Sequence, residues 1–249
     1  MIHTCTVTGE SDRKSRNLIR RAVRKNPDAV VAVTGCYAQV SSRAVEAMEG
    51  VDIVMGTGSL DALVDRVEQV RSDRGEIQAV SNGKEFCNLE GQPGYSSDRV
   101  RAFLKVQEGC QQFCSYCIIP YARGVMRSRP FKETIEKVEQ LTASGFKEIV
   151  LTGIRLGAYG KDLDPPVSLA SLIKSLGGVP GLQRLRVSSV DPHDFTPELV
   201  SVLTSEPVVC PHFHIPLQSG DDTILERMRR RYTAEQYLEL IQSLKEKSP

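Results

Sequence analysis

The chain has 249 residues, of which 40% are hydrophobic and 25% charged, and its formal net charge is +1. This composition is ordinary for a globular protein of one large or two modest domains. The longest apolar runs are far shorter than the roughly 20 residues that a membrane span needs, and no basic-then-apolar export signal opens the chain. We therefore expect a cytoplasmic protein without a membrane partner, whose seven cysteines serve metal or redox sites before disulfides.

The first 71 residues alternate strand-like and helix-like segments. The predicted strands are 1–4, 29–33 and 51–55, and helices are predicted up to residue 25 and over 42–48 and 61–70. This alternation predicts a parallel sheet, whose ligands lie at the carboxyl ends of the strands. Cys5 and Cys36 each directly follow a strand. Two small buried core cysteines explain these positions equally well.

Residues 72–98 are rich in Gly, Ser, Asn and Asp, with one strand-like piece at 77–80. They are predicted to link an N-terminal domain, 1–71, to a second domain, 99–249. Cys87 lies in this linker and is interpreted as a bystander.

The second domain repeats the alternation. Its predicted strands are 102–107, 148–152, 182–188 and 208–215. Helices are predicted over 132–144 and 223–228, after a Ser168 cap, at Thr196-Pro197, and after a Thr233/Gln236 capping box.

Three polar residues and one glycine follow these strands, where barrel-type folds place reactive groups. They are Thr152 and Gly153 after the second strand, Ser188 after the third and Gln218 after the fourth. Local turn chemistry explains each of them equally well. In the fourth strand, His212 and His214 would share a face, and a polar core is favoured over a metal pair.

Three cysteines, Cys110, Cys114 and Cys117, lie on one loop with the spacing C-x3-C-x2-C. Three thiolates can hold three irons of a 4Fe–4S cluster and leave the fourth iron open to a small molecule. Structural zinc normally takes four protein ligands, and no fourth Cys or His lies nearby in the sequence. A disulfide leaves one thiol over and would be strained between such near neighbours. A cluster is therefore favoured over zinc or buried thiols.

Basic residues concentrate in the first helix. Against Asp12, the helix carries Arg13, Lys14, Arg16, Arg20, Arg21, Arg24 and Lys25. A solvated face and a phosphate-contacting stripe explain this pattern equally well. Two further groups would extend a stripe, namely Arg123/Arg127/Arg129 and Arg227/Arg229/Arg230/Arg231.

The cysteine spacing, with Tyr116 directly before the third cysteine, resembles the radical S-adenosylmethionine (SAM) superfamily. The longer sequence 105–124 is similar to the methylthiotransferase family, and within it to the branch that acts on threonylcarbamoyladenosine in tRNA. The likeness extends from residue 4 to residue 220.

The resemblance implies an α/β fold in which an incomplete N-terminal parallel-sheet domain precedes an incomplete radical SAM partial (β/α) barrel of about four units. The open iron would chelate SAM, and Thr152 and Gly153 would contact its amino group. Ser188 and Gln218 would add polar contacts to SAM, and Tyr116 would pack near its adenine. No catalytic side chain is assigned.

In this family the N-terminal domain holds a second 4Fe–4S cluster through three cysteines. Cys5 and Cys36 match the second and third of those motifs, and the first motif is absent from the chain. The chain therefore looks truncated at both ends, before the first motif and before the last barrel strands.

The implied reaction transfers a methylthio group to carbon 2 of N6-threonylcarbamoyladenosine beside the tRNA anticodon, by way of a SAM-derived 5′-deoxyadenosyl radical. Expected partners are the tRNA anticodon loop and a flavodoxin- or ferredoxin-like electron donor, with the protein itself monomeric. A competing hypothesis is a methylthiotransferase that acts on isopentenyl-adenosine in tRNA or on a ribosomal protein. Two further hypotheses are a fragment that binds an Fe–S cluster or RNA without catalysis, and a binding module stabilised by zinc.

Overall fold

The computed structural model describes residues 1–58, 61–72, 78–80 and 100–248. They form two compact units: the described residues up to 80 with Cys117–Gly124, and 100–116 with 125–248. Most of the predicted linker, including Cys87, lies outside the described residues, and the domain limits stay a prediction.

The first unit is built on a parallel sheet, as predicted. Its elements are β1 (Ile2–Thr4), α1 (Gly9–Lys25), β2 (Ala32–Gly35), α2 (Cys36–Val40), α3 (Ser42–Glu46), β3 (Ile53–Met55), α4 (Asp61–Ser72), β4 (Gln78–Val80) and α5 (Ile119–Arg123). The strand order is β1-β2-β3-β4, with every pair parallel. β4 therefore belongs to this sheet, although the sequence analysis assigned its residues to the linker.

Helix α1 begins where the sequence supplies a cap and packs through a narrow apolar stripe. The Thr8 side chain accepts a hydrogen bond from the Ser11 backbone N–H at 3.1 Å, which satisfies one of the N–H groups that a helix start leaves open. Ile19 is completely buried against the sheet residues Val33 and Val54. The charged residues of α1 therefore lie on the part of the helix that does not pack against the sheet.

The second unit contains a four-stranded sheet. Its elements are β5 (Arg101–Glu108), β6 (Arg127–Ser128), α6 (Phe131–Ala143), β7 (Glu148–Gly153), α7 (Leu169–Gly177), β8 (Arg184–Val187), α8 (Pro197–Ser205), α9 (Asp222–Arg227) and α10 (Ala234–Lys247), with short 3-10 turns at Leu156–Ala158 and Pro192–Asp194. The order is β6-β5-β7-β8; β5, β7 and β8 are parallel, and β6 is antiparallel to β5. The α/β fold class is confirmed.

The caps predicted in the second unit are confirmed. Ser168 begins α7, Thr196 begins α8, and Thr233 with Gln236 forms the capping box of α10. Between these helices and the sheet lies the core, in which Leu104 and Leu151 are completely buried. Burying such a side chain contributes roughly 1.5–3 kcal/mol.

The predicted strand over 208–215 is wrong. Among the described residues, this segment joins the sheet by a single isolated bridge, between Leu185 and Val209. Pro211 explains the interruption, because proline has no N–H to donate to a sheet ladder. His212 and His214 are exposed, so their predicted place in a polar core is also wrong.

No helix within the described ranges combines the length and the apolarity needed to cross a membrane.

One buried carboxylate on β7 ties together three adjacent strands of the second sheet, β5, β7 and β8. Glu148 on β7 accepts hydrogen bonds from Arg184 at 2.9 Å and Arg186 at 3.0 Å on β8, and it pairs with Arg101 on β5 at 2.8 Å. Burial raises the pKa of Glu148, but the three guanidinium groups outweigh it and lower the pKa to about 2.

We predict that Glu148→Gln lowers the free energy of unfolding by about 2 kcal/mol at pH 7, because three guanidinium groups lose their charged acceptor. The folded pKa lies below the usual value of 4.5. The stabilisation is therefore complete above that value and disappears as the pH falls towards 2. Urea unfolding at pH 7 and pH 3 measures the effect. Glu139→Gln, on an exposed position of α6, is the matched control, and equal stability of all three proteins at pH 7 would contradict the assignment.

Candidate functional site

Three strand ends meet at one edge of the second sheet. Because β5, β7 and β8 are parallel, the cysteine loop after β5, Gly153 at the end of β7 and Ser188 after β8 leave the sheet on the same side. This is the edge at which α/β sheets bind ligands.

A buried glutamine fixes the start of the cysteine loop. Gln107 is completely buried, and its side-chain nitrogen donates to the carbonyl oxygens of Glu108 and Gly109, both at 2.8 Å. Its side-chain oxygen accepts from the backbone N–H of Arg155 at 2.7 Å, which ties the loop to the segment after β7. A Cβ on Gly153 would lie 3.0 Å from the Gln107 Cβ, so this glycine makes room for the glutamine.

Sequence reasoning missed Gln107. The sequence feature that could have revealed it is a glutamine near the end of a strand in which buried apolar residues alternate with other residues.

Two of the loop cysteines receive hydrogen bonds at their sulfurs. Cys110 Sγ accepts from the Gln112 backbone N–H at 3.5 Å, and Cys114 Sγ accepts from Nη1 of Arg230 at 3.4 Å. Both thiols are partly buried. Donors directed at sulfur stabilise thiolates, which are the metal-binding form of cysteine.

Cys117 is also partly buried, but it belongs to the first unit, in the segment that continues into α5. Within the described part of the chain, no three His, Cys, Asp or Glu side chains are grouped as ligands of one metal ion. A 4Fe–4S cluster can attach each cysteine to a different iron.

A second guanidinium lies near the loop. Arg155 binds Asp194 through two parallel hydrogen bonds, both 2.8 Å long. Burial lowers the pKa of Arg155, but Asp194 and, more weakly, the Cys110 thiol raise it, and the net shift is upward. The hydrogen bonds to the Cys110 and Cys114 sulfurs fit an anionic thiolate cluster, whereas the charge of Arg155 is paired with Asp194.

The other predicted SAM-contacting residues occupy varied positions. Thr152 is partly buried, and its hydroxyl donates to the Leu104 carbonyl at 3.3 Å across the sheet. Ser188 is partly buried at the strand edge, whereas Tyr116 and Gln218 are exposed. Their contacts with SAM stay predictions.

The first unit has a corresponding edge that carries the other two predicted ligands. Cys5 follows β1 and is exposed, whereas Cys36 opens α2 directly after β2 and is buried. Thr4 and Gly35 are paired residues of the two strands. Gly35 has a φ of 100°, and a Cβ there would lie 2.3 Å from the Thr4 carbonyl oxygen, so only glycine fits this close approach.

Helix α5 contributes a positive charge to this second edge. Its Ala122 carbonyl accepts a hydrogen bond from the Thr57 hydroxyl at 3.1 Å. Burial raises the pKa of the Cys36 thiol; the Arg123 guanidinium lowers it by charge and by a hydrogen bond, and Cys5 raises it. Cys5, Cys36 and Arg123 are therefore neighbours, and α5, which the sequence analysis did not predict, completes this edge.

The basic residues identified in the sequence differ in whether their side chains are exposed or form ion pairs within the protein. Arg127 binds Glu108 at 3.0 Å, and Arg129, with 3% of its side chain exposed, binds Glu133. These two are committed to internal ion pairs. The outer face of α1 instead remains exposed and carries Arg13, Lys14, Arg20, Arg21, Arg24 and Lys25.

Family patterns match two parts of the chain. The radical SAM superfamily pattern matches residues 104–249, and a family described as uncharacterized protein family UPF0004 matches residues 1–56.

Curated relatives match the whole chain. It is 46% identical to the threonylcarbamoyladenosine tRNA methylthiotransferase MtaB of Bacillus subtilis, 40% identical to the MtaB of Aquifex aeolicus, and 34% identical to the tRNA-2-methylthio-N(6)-dimethylallyladenosine synthase of Pelotomaculum thermopropionicum. The chain spans 55%, 60% and 57% of these relatives, respectively.

A solved structure shares the fold. The cobalamin-dependent SAM radical enzyme OxsB superposes on 97% of this chain with a TM-score of 0.64, at 13% identity and over 38% of its own length.

We predict that Gln107→Leu loosens the cysteine loop, because two carbonyls and one N–H lose their buried partner. The expected loss is about 2 kcal/mol in the free energy of unfolding. Faster reaction of Cys110 and Cys114 with a thiol-alkylating reagent, followed by mass spectrometry of the peptides, measures the local effect. Gln111→Leu, at an exposed loop position, is the matched control. Equal alkylation rates in the two variants would show that Gln107 does not hold the loop.

Proposed function

This chain belongs to the radical SAM superfamily, and we propose that it transfers a methylthio group to carbon 2 of N6-threonylcarbamoyladenosine next to the anticodon of tRNA. The observation that carries this proposal is the C-x3-C-x2-C loop at the carboxyl end of β5. The 46% identity to an MtaB enzyme over the whole chain supports the choice of substrate.

In this proposal Cys110, Cys114 and Cys117 hold a 4Fe–4S cluster. When bound, the cluster supplies the electron that cleaves SAM. The chain's own residues position the loop: Gln107 fixes its first turn, and N–H donors stabilise the sulfurs of Cys110 and Cys114. Thr152, Gly153, Ser188, Gln218 and Tyr116 are proposed to line the SAM site.

A second 4Fe–4S cluster is proposed at the edge of the first unit. Cys5 and Cys36 supply two thiols there, and Arg123 lies beside Cys36. The cysteine of the family's first motif is not in this chain. Cys5 and Cys36 therefore account for two of the three cysteines that would hold such a cluster.

The proposed macromolecular partner is the tRNA anticodon loop. Helix α1 carries seven basic and two acidic side chains over 17 residues, in a chain whose net charge is only +1. Its exposed face is ~25 Å long. RNA recognition relies on phosphate contacts and splayed bases, and this face supplies the cations. We further propose a cytoplasmic, monomeric protein that receives electrons from a flavodoxin- or ferredoxin-like donor.

A second candidate substrate is the related isopentenyl- (dimethylallyl-) adenosine of tRNA. The 34% identity to a synthase that acts on dimethylallyladenosine favours this base over a ribosomal protein as the second candidate.

We predict that this protein restores methylthio-threonylcarbamoyladenosine in a bacterial strain that lacks its own enzyme for this base. Nucleoside mass spectrometry of total tRNA measures the product. Cys114→Ala should abolish it because a cluster ligand is lost, whereas Cys210→Ala, at a buried position outside the C-x3-C-x2-C sequence, should retain it. Unchanged threonylcarbamoyladenosine with the unaltered protein would contradict the proposal, and methylthiolated dimethylallyladenosine would favour the second candidate.

We predict that Arg20→Glu with Arg24→Glu weakens tRNA binding at least about tenfold at low salt, because two phosphate contacts become repulsive. The slope of the logarithm of the affinity against the logarithm of the salt concentration should fall by about 2. Lys245→Glu with Lys247→Glu, at exposed positions of α10, makes the same change in net charge and is the control. Equal losses in both double variants would show a general charge effect and remove α1 from the interface.

A further inference from the structure

Arg230 is held beside the cysteine loop in the turn that follows α9. Only 5% of its side chain is exposed. Its Nη1 donates to Cys114 Sγ at 3.4 Å, its Nη2 pairs with Asp191, and its guanidinium lies 5.3 Å from the centre of the Tyr232 ring. Three different partners therefore fix one guanidinium against a loop sulfur.

The backbone brings the same two segments together. The N–H of Ser115, next to Cys114, donates to the carbonyl of Met228 at 3.2 Å. Arg229, between Met228 and Arg230, has a φ of 59°. This left-handed conformation is uncommon for a residue other than glycine. The turn after α9 therefore contacts the cysteine loop twice, through a backbone hydrogen bond from Ser115 to Met228 and through the Arg230 side chain.

The guanidinium keeps its charge at this position. A guanidinium does not lose its proton in proteins, and here it is also paired with the Asp191 carboxylate. Its Nε is buried and has no hydrogen-bond partner among the described residues. A buried donor left unsatisfied destabilises the folded protein, so this position of the guanidinium carries a cost.

We propose that Arg230 is a positioning residue for the cluster: it fixes the Cys114 sulfur and favours the reduced cluster by stabilising negative charge on that sulfur. This inference rests on the cluster of the proposed function. The cluster gains one electron from an external one-electron donor, and Arg230 neither gains nor loses a proton or a bond. Hydrogen bonds to cluster sulfurs and nearby charge are known determinants of cluster potential.

Arg230 is a stronger candidate than Arg155 for this role. Arg155 directs two of its donors to the Asp194 carboxylate, and it interacts with Cys110 through charge. Arg230 makes a direct hydrogen bond to a loop sulfur.

The test is the midpoint potential of the anaerobically reconstituted chain, followed by electron paramagnetic resonance in a redox titration without tRNA. Arg230→Met should make reduction about tenfold less favourable, which for one electron is a shift of ~59 mV to more negative potential. Arg231→Met removes the same charge at the neighbouring exposed position and should leave the potential unchanged. An unchanged potential in Arg230→Met, with full iron content, would overturn the proposal.

Arg230→Gln keeps an N–H donor for Asp191 and should show the same direction of shift if Arg230→Met does not fold. A further measurement needs no variant: guanidinium-¹⁵N arginine incorporated into the unaltered protein should give a nitrogen coupling to the reduced cluster. Absence of that coupling would also overturn the proposal. Neither the midpoint potential nor the nitrogen coupling requires tRNA. A failure to modify tRNA would therefore refute the proposed function without testing the role of Arg230, which these two measurements decide separately.

Discussion

Parallel strand pairing is the constraint on which both candidate sites depend. The carboxyl ends of parallel strands lie at one edge of the sheet, so residues far apart in sequence are brought to that edge. In the second unit this pairing places the cysteine loop, Gly153 and Ser188 together. In the first unit it places Cys5 and Cys36 on adjacent strand ends.

The two edges use the same electrostatic arrangement. In each, a cysteine thiol has an arginine guanidinium as a neighbour: Arg123 beside Cys36 and Arg230 beside Cys114. A buried thiolate without such a neighbour is disfavoured, because desolvation penalises its charge. The arginines therefore offset part of the desolvation cost of a thiolate at Cys36 and at Cys114.

Local chemistry explains what the sequence could predict. The helix caps at Ser168, Thr196 and Thr233/Gln236 bind backbone groups only a few residues away. Their sequence pattern therefore predicts the helix starts without knowledge of the tertiary structure. The predicted strand at 208–215 is wrong because Pro211 lies within it and removes a ladder donor.

Contacts between distant segments explain what the sequence could not predict. Arg230 and Cys114 are 116 residues apart, and Gln107 and Arg155 are 48 apart. The arginine was visible only as one of a basic group that resembles a solvated or phosphate-binding surface. No local pattern distinguishes a guanidinium that binds a sulfur from one that faces water, and only the fold separates Arg230 from Arg231.

Whether the C-x3-C-x2-C loop holds an iron–sulfur cluster is tested most directly by a count of iron, sulfide and zinc per chain after anaerobic reconstitution. We expect about four irons and four sulfides that depend on Cys110, Cys114 and Cys117, and about eight irons if Cys5 and Cys36 hold a second cluster. Near-zero iron with about one zinc per chain would contradict the cluster assignment.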